Sequence, residues 1–254
     1  MEYQCNHHRR SILTGLTWMA GIAGLGLSPL LSGCVTGRKE FSEGVINFQG
    51  DVRFDGVAVM RGMKPASGGV ITTGVGSRLT VVIGSDALLI HENSELHLVS
   101  PPLAAADGTV VHDGPPSASP TADAVRRIMG YRLKRGGVLS VFSPGLRTVQ
   151  TPNATIGIRG TGIYLEYQSG RSYLCTCYGQ ADIQSVQEPS ARETVQATHH
   201  DAPRFIHDPA RGGPVFEKAP MLHHTDDELI LLEDLVGRQP PFMSDSSWNG
   251  GKRY

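Results

Sequence analysis

The sequence predicts an all-β fold, a β-sandwich or short β-solenoid of many short strands, with one short C-terminal α-helix. Seven stretches, VINFQGDVRFDGVAV, GGVITTGVGSRLTVVI, ALLIHENSELHLV, YRLKRGGVLSVFS, RTVQTPNATIGIRGTGIYLEYQ, SYLCTCYGQADIQSV and ARETVQAT, are β-branched and alternating, and Gly, Asn, Asp or Pro breaks them. That is the pattern of short strands separated by turns. The 31 glycines and 6% aromatic content favour turn-rich β structure over a helical bundle. A helical signature occurs once, near the C-terminus.

The chain opens on NHHRRSILTGLTWMAGIAGLGLSPLLSGC, an uncharged, glycine-rich run behind paired Arg9 and Arg10. Residues 1–34 read as an export signal and stand outside the fold. Arg9 and Arg10 followed by Ser11, Ile12 and Leu13 resemble a twin-arginine (Tat) signal, the route for cargo that is already folded. The run closes on Leu31-Ser32-Gly33-Cys34, which resembles a lipobox. The expectation is a lipoprotein acylated at Cys34 on the periplasmic face of a membrane, the outer one because Val35 is not acidic. A signal cleaved without lipid, or kept as a single anchor, is the alternative, since about 20 apolar residues span a bilayer.

Residues 45–198 hold the β domain. Alternation in Arg78-Leu79-Thr80-Val81-Val82-Ile83 and Glu95-Leu96-His97-Leu98-Val99 gives one wet and one buried face. Leu79, Val81, Leu96, Leu98, Val138, Val141, Ile156, Ile158 and Ile163 are the expected core. Residues 101–127, PPLAAADGTVVHDGPPSASPTADAVRR, lack apolar periodicity and read as a flexible surface insertion. From residue 199 onward a His-rich extension reads as non-β. In HHTDDELILLEDLVGRQPP, Thr225 and Glu228 form a capping box, so a helix is expected over 226–236, stopped by Gly237 and by Pro240-Pro241.

A net charge of -1, from 23 basic and 24 acidic residues, gives no reason to expect nucleic acid. GIRGTG has the wrong glycine order and strand flanks on both sides, so it is no dinucleotide fingerprint. HENSE at His91 lacks the second histidine of a zinc-protease helix, and no Gly-x-Ser-x-Gly elbow occurs. The acids of Asp226-Asp227-Glu228 are accounted for by the dipole of a helix's first turn. No catalytic constellation emerges, and the expectation is a binding, sensing or regulatory module, with a metal-binding protein or a metalloenzyme of unknown substrate as the alternative.

YLCTCYG, residues 173–179, places Cys175 and Cys177 two apart in a strand. Their side chains share a face with Cα atoms about 6.6 Å apart, the outer edge of what a disulfide accepts. The expected use is one transition metal, zinc, iron or copper, held by Cys175 and Cys177 with one or two of His199, His200 and His207. His223 and His224 are weaker candidates. A strained disulfide, or two small buried residues beside solvated histidines, is the alternative.

Between Gly50 and Val186 the order GDVRFDG, ITTGVGS, LKRGGVLSV, TPNATIGIRGTGIYLEY, YGQADI resembles the FecR domain, a periplasmic module of sensing and regulatory proteins. The most specific part is Thr151-Pro152 followed by Gly157, Arg159, Gly160 and Thr161. The resemblance implies an envelope-anchored platform for a protein or other envelope ligand. In the residues themselves, Pro152 suits a strand start, and Gly160 and Gly162 permit a bulge. Arg159 is expected to hold a neighbouring turn. Only ten residues precede the apolar run, a departure that argues against direct control of a sigma factor. The Cys-Thr-Cys motif and the His-rich extension also lie outside the family's minimal pattern.

Overall fold

A computed structural model of the chain describes residues 43–66, 68–99 and 129–244. The signal with Arg9, Arg10 and Cys34, the insertion 101–127 and the tail after 244 lie outside the described residues. The alternating segments become fourteen strands: β1 (Gly44–Gln49), β2 (Val52–Phe54), β3 (Val57–Ala58), β4 (Val70–Thr73), β5 (Arg78–Ile83), β6 (Asp86–Ile90), β7 (Glu95–Val99), β8 (Gly130–Val141), β9 (Leu146–Gln150), β10 (Ala154–Gln168), β11 (Arg171–Ser185), β12 (Arg192–Ala197), β13 (Arg204–Ile206) and β14 (Phe216–Lys218). Among the described residues there is one α-helix, α1 (Asp226–Leu235), and there are two 3-10 turns, Pro209–Arg211 and Pro241–Ser244.

All fourteen strands hydrogen-bond into one mixed sheet, and three long strands fold it into two layers by changing partners halfway. Residues 130–135 of β8 pair with β7, and 138–141 pair with β6. In β10, residues 155–159 pair with β9 and 162–167 with β8. In β11, residues 172–174 pair with β13 and 179–184 with β12. One layer therefore runs β1-β5-β6-β8-β10-β11-β13-β14, the other β3-β2-β4-β7-β8-β9-β10-β11-β12. Leu79, Leu88, Val138, Ile163 and Leu165 of the first and Ile71, Leu96, Leu133, Ile156 and Ile158 of the second share one apolar core. All nine expected core residues are buried, although Val141 belongs to a second cluster on the outer face of the first layer.

The bend in β10 is built by glycine. Gly160 has φ 54°, and the β10–β11 register slips on both sides of Gly162, the signature of a bulge. A Cβ on Gly162 would stand 2.8 Å from the Tyr178 ring and 3.0 Å from Leu229 of α1, so the bulge also makes room for the helix. Arg159 holds no turn: it is exposed and its nearest acid, Asp182, lies 3.8 Å away on the adjacent strand. Thr151 and Asn153 instead break β9 from β10, and their buried side chains take bonds from Ser172 while Asn153 donates to the Ile206 carbonyl.

The sequence reads the region after residue 199 as non-β, and the structure corrects this. Arg204–Ile206 and Phe216–Lys218 add a hairpin to the edge at β11. Three-residue strands are too short to show a period. The helix starts as expected: Thr225 accepts from the Glu228 amide while Glu228 reaches back to the Thr225 amide. Leu229 and Leu232 bury against the outer face of β6 and β8, each contributing about 1.5–3 kcal/mol.

Candidate metal centre

The period of two in β11 decides where its cysteines point. Leu174 enters the core between the layers, while Cys175 and Cys177 join the outer cluster with Val82, Leu139, Val141 and Tyr164. Neither is disulfide-bonded and both are fully buried. The extension covers this face. After β12 the chain turns at His200, whose φ is 52° and whose amide donates to the Cys177 carbonyl at 3.0 Å. It returns through the β13–β14 hairpin to His223, φ 63°, where a left-handed residue reverses the chain. Histidine tolerates that region better than most residues. The reversal leaves His223 exposed and His224 buried.

Cys175, Cys177, His200 and His224 thereby meet, with one donor atom from each inside 4.8 Å of all the others. Cys175 Sγ lies 3.4 Å from His200 Nδ1, Cys177 Sγ lies 3.6 Å from His224 Nε2, and the two ring nitrogens are 3.2 Å apart. A tetrahedral zinc with sulfur at about 2.3 Å and nitrogen at about 2.0–2.1 Å sets sulfur and nitrogen about 3.5 Å apart and the two nitrogens about 3.3 Å apart. The spacing fits.

Proton bookkeeping on the imidazoles agrees. His224 donates from Nδ1 to the Leu222 carbonyl at 2.7 Å, and His200 donates from Nε2 to Asp226 at 2.9 Å. Each ring is thus held from behind, and the other nitrogen of each, His200 Nδ1 and His224 Nε2, faces the thiols and its counterpart. A cation between them would take both as ligands, and the acceptor behind each ring is the support that metal-ligating histidines carry. The thiols divide their charge unevenly. Hydrogen bonding from Cys177, helped by His224, holds Cys175 down to about 6, whereas burial and the neighbouring thiol push Cys177 well up.

Of the expected ligands, the structure brings together Cys175, Cys177 and His200 with His224, one of the two weaker candidates. His199 faces away from the thiols: its Nε2 contacts both Asp226 oxygens at 3.0 and 3.1 Å and its ring stacks on Phe242. His207 stands apart, paired with Glu217 at 2.9 Å. His223 pairs with Glu166 at 2.7 Å. Sequence reasoning missed Asp226, assigned there to the helix dipole alone. Its carboxylate is buried and orients His200 and His199; an acid at the first helical position just after paired histidines was the available signal.

No known family model matches the chain, so the FecR resemblance rests on the residues quoted for it. No curated protein matches either. Among solved structures, two crystal structures of a candidate anti-sigma factor from Parabacteroides distasonis, at 1.65 and 2.50 Å resolution, align at a TM-score of 0.41 with 10% and 9% identity. Each alignment covers 59% of this chain and 60% of that one. At that score the likeness carries no argument about function.

Proposed function

We propose that the chain is an envelope-anchored binding or sensing module of FecR type whose C-terminal extension is stapled to the sandwich by one zinc ion. The observation that carries the metal is the convergence of four buried donors, Cys175, Cys177, His200 and His224, whose two ring nitrogens stand 3.2 Å apart beside the two thiols. Zinc suits two sulfur and two nitrogen donors in a tetrahedral set better than iron or copper does, because it takes that geometry without redox chemistry. A catalytic metal needs an open coordination position, and four protein donors leave none. The metal is therefore structural, and function lies in the surfaces that the sandwich and extension make together.

Two of the donors come from β11 and two from the extension, so ion binding and docking of the extension are one equilibrium. Protein purified without a histidine tag is expected to hold about one zinc per chain. Chelation should open the region after residue 199 to protease while the far-ultraviolet β signal survives. Less than about a tenth of an equivalent of any transition metal, with both thiols readily alkylated in folded protein, ends this reading.

Anchoring rests on the sequence of residues 1–34. Labelled fatty acid should enter the wild type and not Cys34→Ala, which should be released as soluble protein, and Lys-Lys in place of Arg9-Arg10 should block export. Absence of label in the wild type removes the lipoprotein. Normal export of the Lys-Lys variant removes the twin-arginine route.

A further inference from the structure

The β10–β11 turn, β13 and the segment around His223 enclose a cleft of about 500 Å³, within the range of small-molecule sites. Its charge is unbalanced. Glu166 already accepts from the Tyr164 hydroxyl and from His223, and the other nearby acid, Glu217, accepts from His207. Arg171 and Arg211 both line the cleft, and among the described residues neither has a carboxylate partner. In the adjoining cleft, by contrast, Arg78 pairs with Glu228 and Arg135 with Glu95.

Arg171 is also held in place. Its guanidinium carbon sits 4.0 Å from the centre of the Phe205 ring, which fixes the plane of the fork and leaves its N–H edges for a carboxylate or phosphate. The remaining lining is suited to hydroxyls: Gln168 and Ser169 are exposed at the turn, and His223, with Nδ1 engaged by Glu166, has Nε2 left to hydrogen-bond.

We infer that this cleft binds an anionic saccharide, its carboxylate or phosphate on Arg171 and Arg211 and its hydroxyls on Gln168, Ser169 and His223. The inference names a ligand for the binding module proposed above and rests on that reading. Sandwich and extension each supply one of the two arginines, so the cleft exists in full only when the extension is docked.

The test is calorimetric titration of the full-length, metal-loaded protein with glucuronate, glucose 6-phosphate, glucose and inorganic phosphate. At least one anionic sugar should bind about tenfold or more tighter than glucose and than inorganic phosphate. The double variant Arg171→Gln/Arg211→Gln should lose that preference about tenfold or more while keeping its zinc and melting temperature. Equal binding of glucose, equal binding of inorganic phosphate, indifference to the double variant, or no binding at about 10 mM each overturns the inference. Zinc content is read on the same samples, so failure of the cleft and failure of the metal reading are seen separately.

Discussion

Tyr164 lies flat on His224, with ring centroids 4.8 Å apart and planes 8° from parallel, and its hydroxyl donates to Glu166 at 2.9 Å. Glu166 also accepts from His223. Strand β10 therefore grips both adjacent histidines, one by a ring face and one by a carboxylate. Tyr164→Phe keeps the stack and loses one hydrogen bond, an expected cost of about 1 kcal/mol. Tyr164→Ala removes the stack and leaves a cavity, an expected cost of about 3–5 kcal/mol. Urea unfolding of the two variants measures both, and equal losses would show that the ring face supports nothing.

The ligand set separates cleanly from the other histidines. Cys177→Ser and His224→Ala should each bring zinc below about a third of an equivalent. His207→Ala should leave it unchanged, because that ring is committed to Glu217 away from the cluster. Elemental analysis of the three proteins decides, and loss of zinc in His207→Ala with retention in His224→Ala would mean that the extension docks differently.

Asp226 acts through His200. Asp226→Asn keeps the shape but removes the charge that fixes the ring's proton on Nε2, so zinc affinity should fall about 10–100-fold at unchanged stoichiometry. Competition against a chromogenic chelator gives the number. A wild-type affinity in this variant would reduce Asp226 to a helix-terminus charge.

How much of this was legible follows from the length of each signal. The period of two in β11 is enough to place Cys175 and Cys177 on one face, and the Thr225–Glu228 box is enough to start α1, because both are properties of a few neighbouring residues. Which histidine joins them is not local. His224 rather than His199 or His207 arrives through the three-residue strands β13 and β14 and a left-handed turn at His223, none of which has a pattern long enough to read. Arg159 misled for the opposite reason: its motif is conspicuous, but the bulge beside it is made by Gly160 and Gly162, and the side chain is left in solvent.

The buried pair Arg147 and Asp86 joins β9 to β6 at 3.1 Å, and Asp86 also accepts from the Ser143 amide at 2.7 Å. Both side chains are almost wholly buried, so Asp86→Ala strands a guanidinium and an amide in the interior. The expected loss is about 3–5 kcal/mol, seen as a lower urea midpoint. The paired replacement Asp86→Ala/Arg147→Met should recover most of it, and failure to recover would put the cost on the Ser143 amide instead.

The donors of the cluster are far apart along the chain, 25 residues between Cys175 and His200 and 47 between Cys177 and His224. At about 5–20 residues per second of synthesis, His224 follows Cys177 out of the ribosome by about 2–9 s. Leu229, Leu232 and Phe242, which roof the site, come later still. Each newborn chain thus passes through an interval in which the two neighbouring thiols have emerged with neither lid nor histidines. Oxidants and competing thiophilic ions meet the thiols at their most exposed in those seconds, so the yield of correctly assembled molecules should depend on the redox and metal state of the compartment where translation occurs.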